Sequence, residues 1–168
     1  MPTPTYNLIQ EITVSGSVTT TISFTSIPAT FDDLVVVGRA KLALSENITF
    51  RFNGDATTNY NYVVSNGSNG AAASAVITGA SQFGFIDGTT TQNFHFQVHV
   101  TGYQNTNWRK TIFSSSFTEL GVQNNAIRYT GGQWNSVATI SSISFSTSAG
   151  TNYVAGSVFQ LYGIKGSN

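Results

Sequence analysis

Apolar and polar residues alternate along several short stretches of this chain, and no run of ten or more residues shows a helical period. Phe94, Phe96, Val98 and Val100 alternate with His95, Gln97 and His99, and Ile48, Phe50 and Phe52 with Thr49 and Arg51. A period of two sends successive side chains to opposite faces of a strand, so each stretch predicts a strand with one face in a core. Similar signals predict strands at Tyr6–Val14, Thr20–Phe24, Leu34–Arg39, Gln82–Ile86, Lys110–Thr118, Ala126–Thr130, Ala138–Phe145 and Val158–Ile164. About ten short strands without a helical partner can bury their apolar faces only sheet against sheet. The expected fold is therefore all-β, a single-domain antiparallel β-sandwich of jelly-roll type.

Turn chemistry separates the predicted strands. Asn53-Gly54 carries the residue pair that a two-residue type I′ hairpin turn needs, because both central positions require positive φ. Asn66-Gly67, Asn69-Gly70, Asp87-Gly88 and Gly131-Gly132 read as further boundaries. The stretch from Gly67 to Ala75, with SNGAAAS inside it, reads as a low-complexity loop without a strand. No internal repeat, heptad pattern or linker interrupts the chain, so it encodes no fibrous shaft or coiled-coil stalk.

Composition narrows the function. A chain of 168 residues fits one domain, long enough to bury roughly two thirds of its unfolded surface. Only 8% of its residues are Asp, Glu, Lys or Arg, and these charges cancel, so no electrostatic footprint for nucleic acid or an anionic membrane is present. Near-neutral polar surfaces favour association, which suits a component of an assembly. Without cysteine there is no disulfide, thiolate metal site or cysteine nucleophile. The beginning MPTPTYNLIQ has neither a basic n-region nor an apolar h-region, so no secretory signal is expected there, and no apolar run reaches the length of a helical membrane span.

Candidate chemistry is sparse. His95 and His99 share a strand face but stand roughly 13 Å apart at ~3.3 Å per residue, too far for one metal ion. Both are expected on the polar face of their strand. Of the acids Glu11, Asp32, Asp33, Glu46, Asp55, Asp87 and Glu119, Asp55 and Asp87 have a sufficient role as turn residues. Asp32 or Asp33 with Asp55 or Asp87 could supply oxygens to Ca²⁺, but nothing resembles an organised calcium loop. No Gly-x-Ser-x-Gly elbow and no phosphate-binding glycine loop occurs, so the expectation is no catalytic residue, no cofactor and no metal. Trp108 and Trp134 lie in amide-rich stretches, as plugs at the ends of a sandwich in the first place, and otherwise as interface anchors or sugar-stacking platforms. Pro2 and Pro4 hold residues 1–5 extended, either as an arm that docks on a neighbour or as a frayed terminus, with the domain following at 6–168.

Three blocks carry a family resemblance. Phe24-Thr25-Ser26-Ile27-Pro28-Ala29-Thr30-Phe31-Asp32-Asp33-Leu34 has the form F-x-x-I-P-x-x-[FY]-x-D-L; Arg51-Phe52-Asn53-Gly54-Asp55 precedes Asn59-Tyr60; and the final predicted strand ends Leu161-Tyr162-Gly163-Ile164. In this order they resemble a family of small all-β virion proteins of tailed bacteriophages. The resemblance implies a non-enzymatic virion structural protein, foremost a capsid decoration (cement) protein on the outer head surface. It would be made in the host cytoplasm and bound to the shell of major capsid protein, as a homo-oligomer, expected to be a trimer at a three-fold site. The alternative is a receptor-binding tip of a tail fibre or spike, recognising glycan through Trp108 and Trp134.

Overall fold

The computed structural model describes residues 5–16, 19–68, 71–88, 93–118 and 126–165. Within them the chain forms twelve strands and no helix: β1 (Tyr6–Thr13), β2 (Thr21–Phe24), β3 (Asp33–Ala40), β4 (Glu46–Phe52), β5 (Tyr60–Ser68), β6 (Ala71–Ala80), β7 (Phe83–Gly88), β8 (Phe94–Thr101), β9 (Lys110–Thr118), β10 (Ala126–Trp134), β11 (Ile143–Thr147) and β12 (Val158–Ile164). All pairings are antiparallel. The larger sheet runs β1-β12-β3-β8-β9-β10-β5-β6 and the smaller β2-β11-β4-β7.

Eight of these strands make a jelly roll. Its two halves are β1-β12-β3-β8 and β2-β11-β4-β7. The remaining four are two insertions, β5–β6 between β4 and β7 and β9–β10 between β8 and β11. Both insertions extend the larger sheet beyond β8. The three sequence blocks singled out above fall on the eight-strand frame and its turns, except that Tyr60 opens β5.

The core is aromatic where the two halves meet. Phe145 of β11 packs against Phe50 at 5.4 Å between centroids in its own sheet, and against Phe96 at 5.6 Å and Phe159 at 5.9 Å across the sandwich. All four rings are buried, each contributing roughly 1.5–3 kcal/mol by leaving water. The alternations that predict β4 and β8 place Phe50, Phe52, Phe94 and Phe96 in this core as expected.

Several local expectations give way. Asn53 and Gly54 do sit at φ 52° and 68°, and Asp55 N donates to Phe52 O at 2.9 Å, so the type I′ turn forms. It is no hairpin, however, because β4 and β5 part into different sheets. Asn53 instead fastens the turn across the molecule, its Oδ1 accepting from Ser141 N at 2.8 Å and its Nδ2 donating to Thr139 O at 2.8 Å. Gly54→Val is expected to cost roughly 2 kcal/mol, since a β-branched residue resists positive φ; an unchanged urea midpoint would contradict this. The stretch read as a loop from Gly67 to Ala75 is the end of β5 and the first half of β6; Asn69-Gly70 lies outside the described residues. Gly131-Gly132 is no boundary either, for both lie inside β10, where a Cβ on Gly132 would stand 2.3 Å from Asn61 O. Glycine is present there because β5 runs too close for anything larger.

Candidate interaction face

The insertion strand β9 inverts the usual polarity of a sandwich strand. Its inward positions carry Lys110, Ile112, Ser114, Ser116 and Thr118, all buried, while Phe113 and Phe117 point outward, Phe113 with 53% of its surface exposed. Its neighbour β10 does likewise, with Thr130 buried and Ile127 and Tyr129 exposed. A one-residue shift in register would bury these large side chains, yet the ladder with β8 fixes the register so that they face out.

Registers across the sheet assemble the outward side chains into rows. One row runs His99, Phe113, Gly131, Val63, Val76; the next Val37, Gln97, Ser115, Tyr129, Ser65, Ser74; the third Arg39, His95, Phe117, Ile127, Gly67, Ala72. Phe113 and Tyr129 stack with centroids 6.3 Å apart and planes at 27°. From β3 to β6, at ~4.8 Å per strand and ~6.7 Å per row, the face covers on the order of 500 Å². The face is mixed: Phe113, Tyr129, Phe117, Ile127, Val37, Val63 and Val76 stand among Ser, Gln, His and Arg39, with the large apolar side chains gathered on β9 and β10. A groove of about 360 Å³ lies beside the stacked pair, lined by Val37, His95, Gln97, Ser115, Phe117 and Tyr129.

The titratable groups near this face are few. His95 and His99 lie on the outer side of β8, as their alternation requires, and His99 Nε2 meets Asp33 Oδ2 at 3.0 Å. Asp33 Oδ1 accepts from Gly102 N at 2.8 Å, which fixes the start of the β8–β9 loop. Among the described residues no three His, Asp or Glu side chains gather as a metal set.

The two tryptophans occupy opposite settings. Trp108 is 69% exposed beside Thr101, Asn105, Arg109 and Thr111. Its loop is held from beneath by Lys110, whose buried ammonium donates to the carbonyls of Asn105, Trp108 and Val137, the last two at 3.3 Å. Burial pushes the pKa of Lys110 down, and the carbonyls supply acceptors without a carboxylate. Trp134 is only 2% exposed and stacks on Tyr60 at 6.5 Å, its Nε1–H donating to Asp55 Oδ2 at 2.7 Å. Trp134 is therefore not the surface platform considered for it; it is a core residue tied to the Asn53-Gly54 turn. Pro2 and Pro4 lie outside the described residues.

Asp55 is the most heavily bonded acid. Its Oδ1 accepts from Thr57 N at 2.9 Å and Thr57 Oγ1 at 2.5 Å, and its Oδ2 from Asn59 Nδ2 at 2.9 Å as well as from Trp134. Burial alone would raise its pKa, but these donors hold the carboxyl well below the usual carboxylate range. Tyr60 next to it is pushed up to about 12 by burial, the Asp55 charge adding to the shift. The pair is a structural knot of satisfied groups. The outward face of β9 and β10 was not legible from the sequence, although Phe113 and Phe117, four residues apart and so on one strand face, were the signal that could have found it.

The chain matches no family model, no characterised protein and no solved structure.

Proposed function

We propose that this protein is a non-enzymatic structural protein of a tailed-phage particle, a decoration protein that lies on the outer head surface with its β9–β10 face against the major capsid protein. The observation that carries the reading is the inverted polarity of β9 and β10, which exposes Phe113, Phe117, Ile127 and Tyr129 while burying serine and threonine. Four large apolar side chains gathered on one adjacent strand pair, two of them stacked, are what a surface covered by a partner carries. The three sequence blocks supply the phage context, and the sparse charge of the chain suits repeated packing on a shell. On this reading a trimer at a three-fold site matches the symmetry of the shell.

The exposure of Trp108 favours a second reading, a glycan-recognising tail tip with the indole as a stacking platform and Asn105 and Arg109 as hydrogen-bonding neighbours. One experiment separates the two: wild type, Phe113→Ser/Tyr129→Ser and Trp108→Ala are each added to phage heads assembled without the protein and to host cells. The decoration reading expects wild type and Trp108→Ala to bind heads and the double variant to lose at least ~100-fold in affinity, in line with truncating two interface anchors. Binding to cells that is lost in Trp108→Ala, with no binding to heads, overturns it.

A further inference from the structure

The open edge of the larger sheet carries a second surface, independent of the outward face. Strand β6 ends that sheet with β5 as its ladder partner, so among the described residues its other side presents backbone N–H and C=O groups without a ladder partner. The other three sheet edges are each blunted. Strand β1 bears a register shift between Leu8 and Gln10 and the charge of Glu11; β2 is four residues long; β7 faces a register shift between Ile48 and Thr49. Strand β6 has ten residues, and its pairing with β5 is regular from Ala71 to Ile77. Its one distortion lies at the far end, where Gly79 takes φ 63° and its N–H donates to Asn61 Oδ1 at 2.8 Å. Every residue from Ala71 to Val76 is exposed. No Asp, Glu, Lys, Arg or His occurs between Asp55 and Asp87, so neither β6 nor its supporting strand carries a charge that would repel an incoming strand.

We infer that β6 pairs with β6 of a second copy of this chain, antiparallel about a two-fold axis, joining two larger sheets edge to edge. An extended segment from a different protein would be selected by side-chain pockets flanking the edge. Here both faces of the edge offer only Ala and Ser from Ala71 to Ala75, and nothing there distinguishes one side chain from another. A second β6 needs no such pockets. The contact is isologous, so each backbone group that finds a partner supplies the reciprocal one, and two uncharged strands meet without like charges opposed.

The absence of cysteine allows a direct test. Single variants Ala73→Cys, Ser74→Cys and Ala75→Cys, with Ser115→Cys on the outward face as the contrast, are oxidised in dilute solution and their masses read. Wild type, Ser74→Lys, Ser74→Glu and an equal mixture of the last two are followed by sedimentation. The expected result is a disulfide-linked species from a β6 position and not from Ser115→Cys. Each single charge variant should weaken self-association by about tenfold or more, and the mixture should restore it, because the charges then oppose each other as Lys and Glu. Circular dichroism of the Lys variant should match wild type, since the side chain stays in solvent. A wild-type chain that sediments as a 17.9 kDa monomer up to its solubility limit overturns the inference. So does self-association indifferent to Ser74→Lys, or cross-linking through Ser115→Cys alone. Head binding does not enter these measurements, so the pairing and the decoration reading fail separately.

Discussion

Gly132→Ala is expected to destabilise the domain by about 3 kcal/mol or more, while Gly131→Ala, one residue earlier, should be neutral or slightly stabilising. A Cβ on Gly132 would lie 2.3 Å from Asn61 O, 2.5 Å from Tyr62 Cβ and 2.7 Å from Tyr62 Cα. Two of these atoms belong to the backbone of β5, which is itself held between β10 and β6, so relief requires the whole strand to move. Overpacking against side chains typically costs 1–3 kcal/mol, and a collision with paired backbone belongs at the top of that range or above it. At Gly131 nothing lies within 4 Å of the added methyl, and alanine reduces the freedom of the unfolded chain. Urea midpoints of the two variants at one pH check this; similar midpoints would mean that β5 and β10 are not packed as closely as described.

Asp55→Ala is expected to cost about 3 kcal/mol at neutral pH, from lost hydrogen bonds to a charged acceptor and from the stranded N–H of buried Trp134. In a double-mutant cycle with Trp134→Phe, the two losses should be strongly non-additive, because phenylalanine removes the donor that Asp55 serves. The pH dependence has a definite sign. The folded pKa of Asp55 is depressed, so its contribution is complete above the unfolded carboxyl value of about 3.9 and is lost as pH falls from there through the folded value. Glu46 adds in the same direction: burial would raise its pKa, but the Ala149 N–H and donors from Thr151 and Thr147 lower it. Wild type should therefore weaken progressively in acid, and Asp55→Asn should show a shallower decline. Parallel curves for the two proteins between pH 7 and pH 3 would remove Asp55 from this role.

The frame of the molecule was legible because its signals are local. The alternation in β4 and β8 is visible within seven residues, and a jelly roll follows from many such strands with no helix to cover them. Strands β5 and β6 were not, since Asn, Gly, Ser and Ala have low strand propensity and become strand here by pairing, β5 with β10 and β6 with β5. The contrast between the tryptophans was equally hidden. Trp108 and Trp134 both lie in amide-rich stretches, and what buries Trp134 is packing on Phe52 and Tyr60, with Asp55, 79 positions away in sequence, taking its N–H. The stretch that forms β9 predicts a strand but not its orientation, because Ile112 and Phe113 are adjacent and the direction in which Phe113 points is set by the register with β8.

The positions of the last two strands bear on how the chain reaches this state. Strand β12 lies between β1 and β3, and β11 between β2 and β4, so the middles of both jelly-roll halves are filled by segments synthesised after all the others. Neither half can close around its core while these segments remain inside the ribosome. Folding must therefore wait until translation has passed Ile164, and it proceeds through contacts between distant parts of the chain, the slow kind for a domain of this size. Until then β1 and β2 lack their partners β12 and β11, while β3 and β4 can pair on one side only, with β8 and β7, and the aromatic core between the halves stays open.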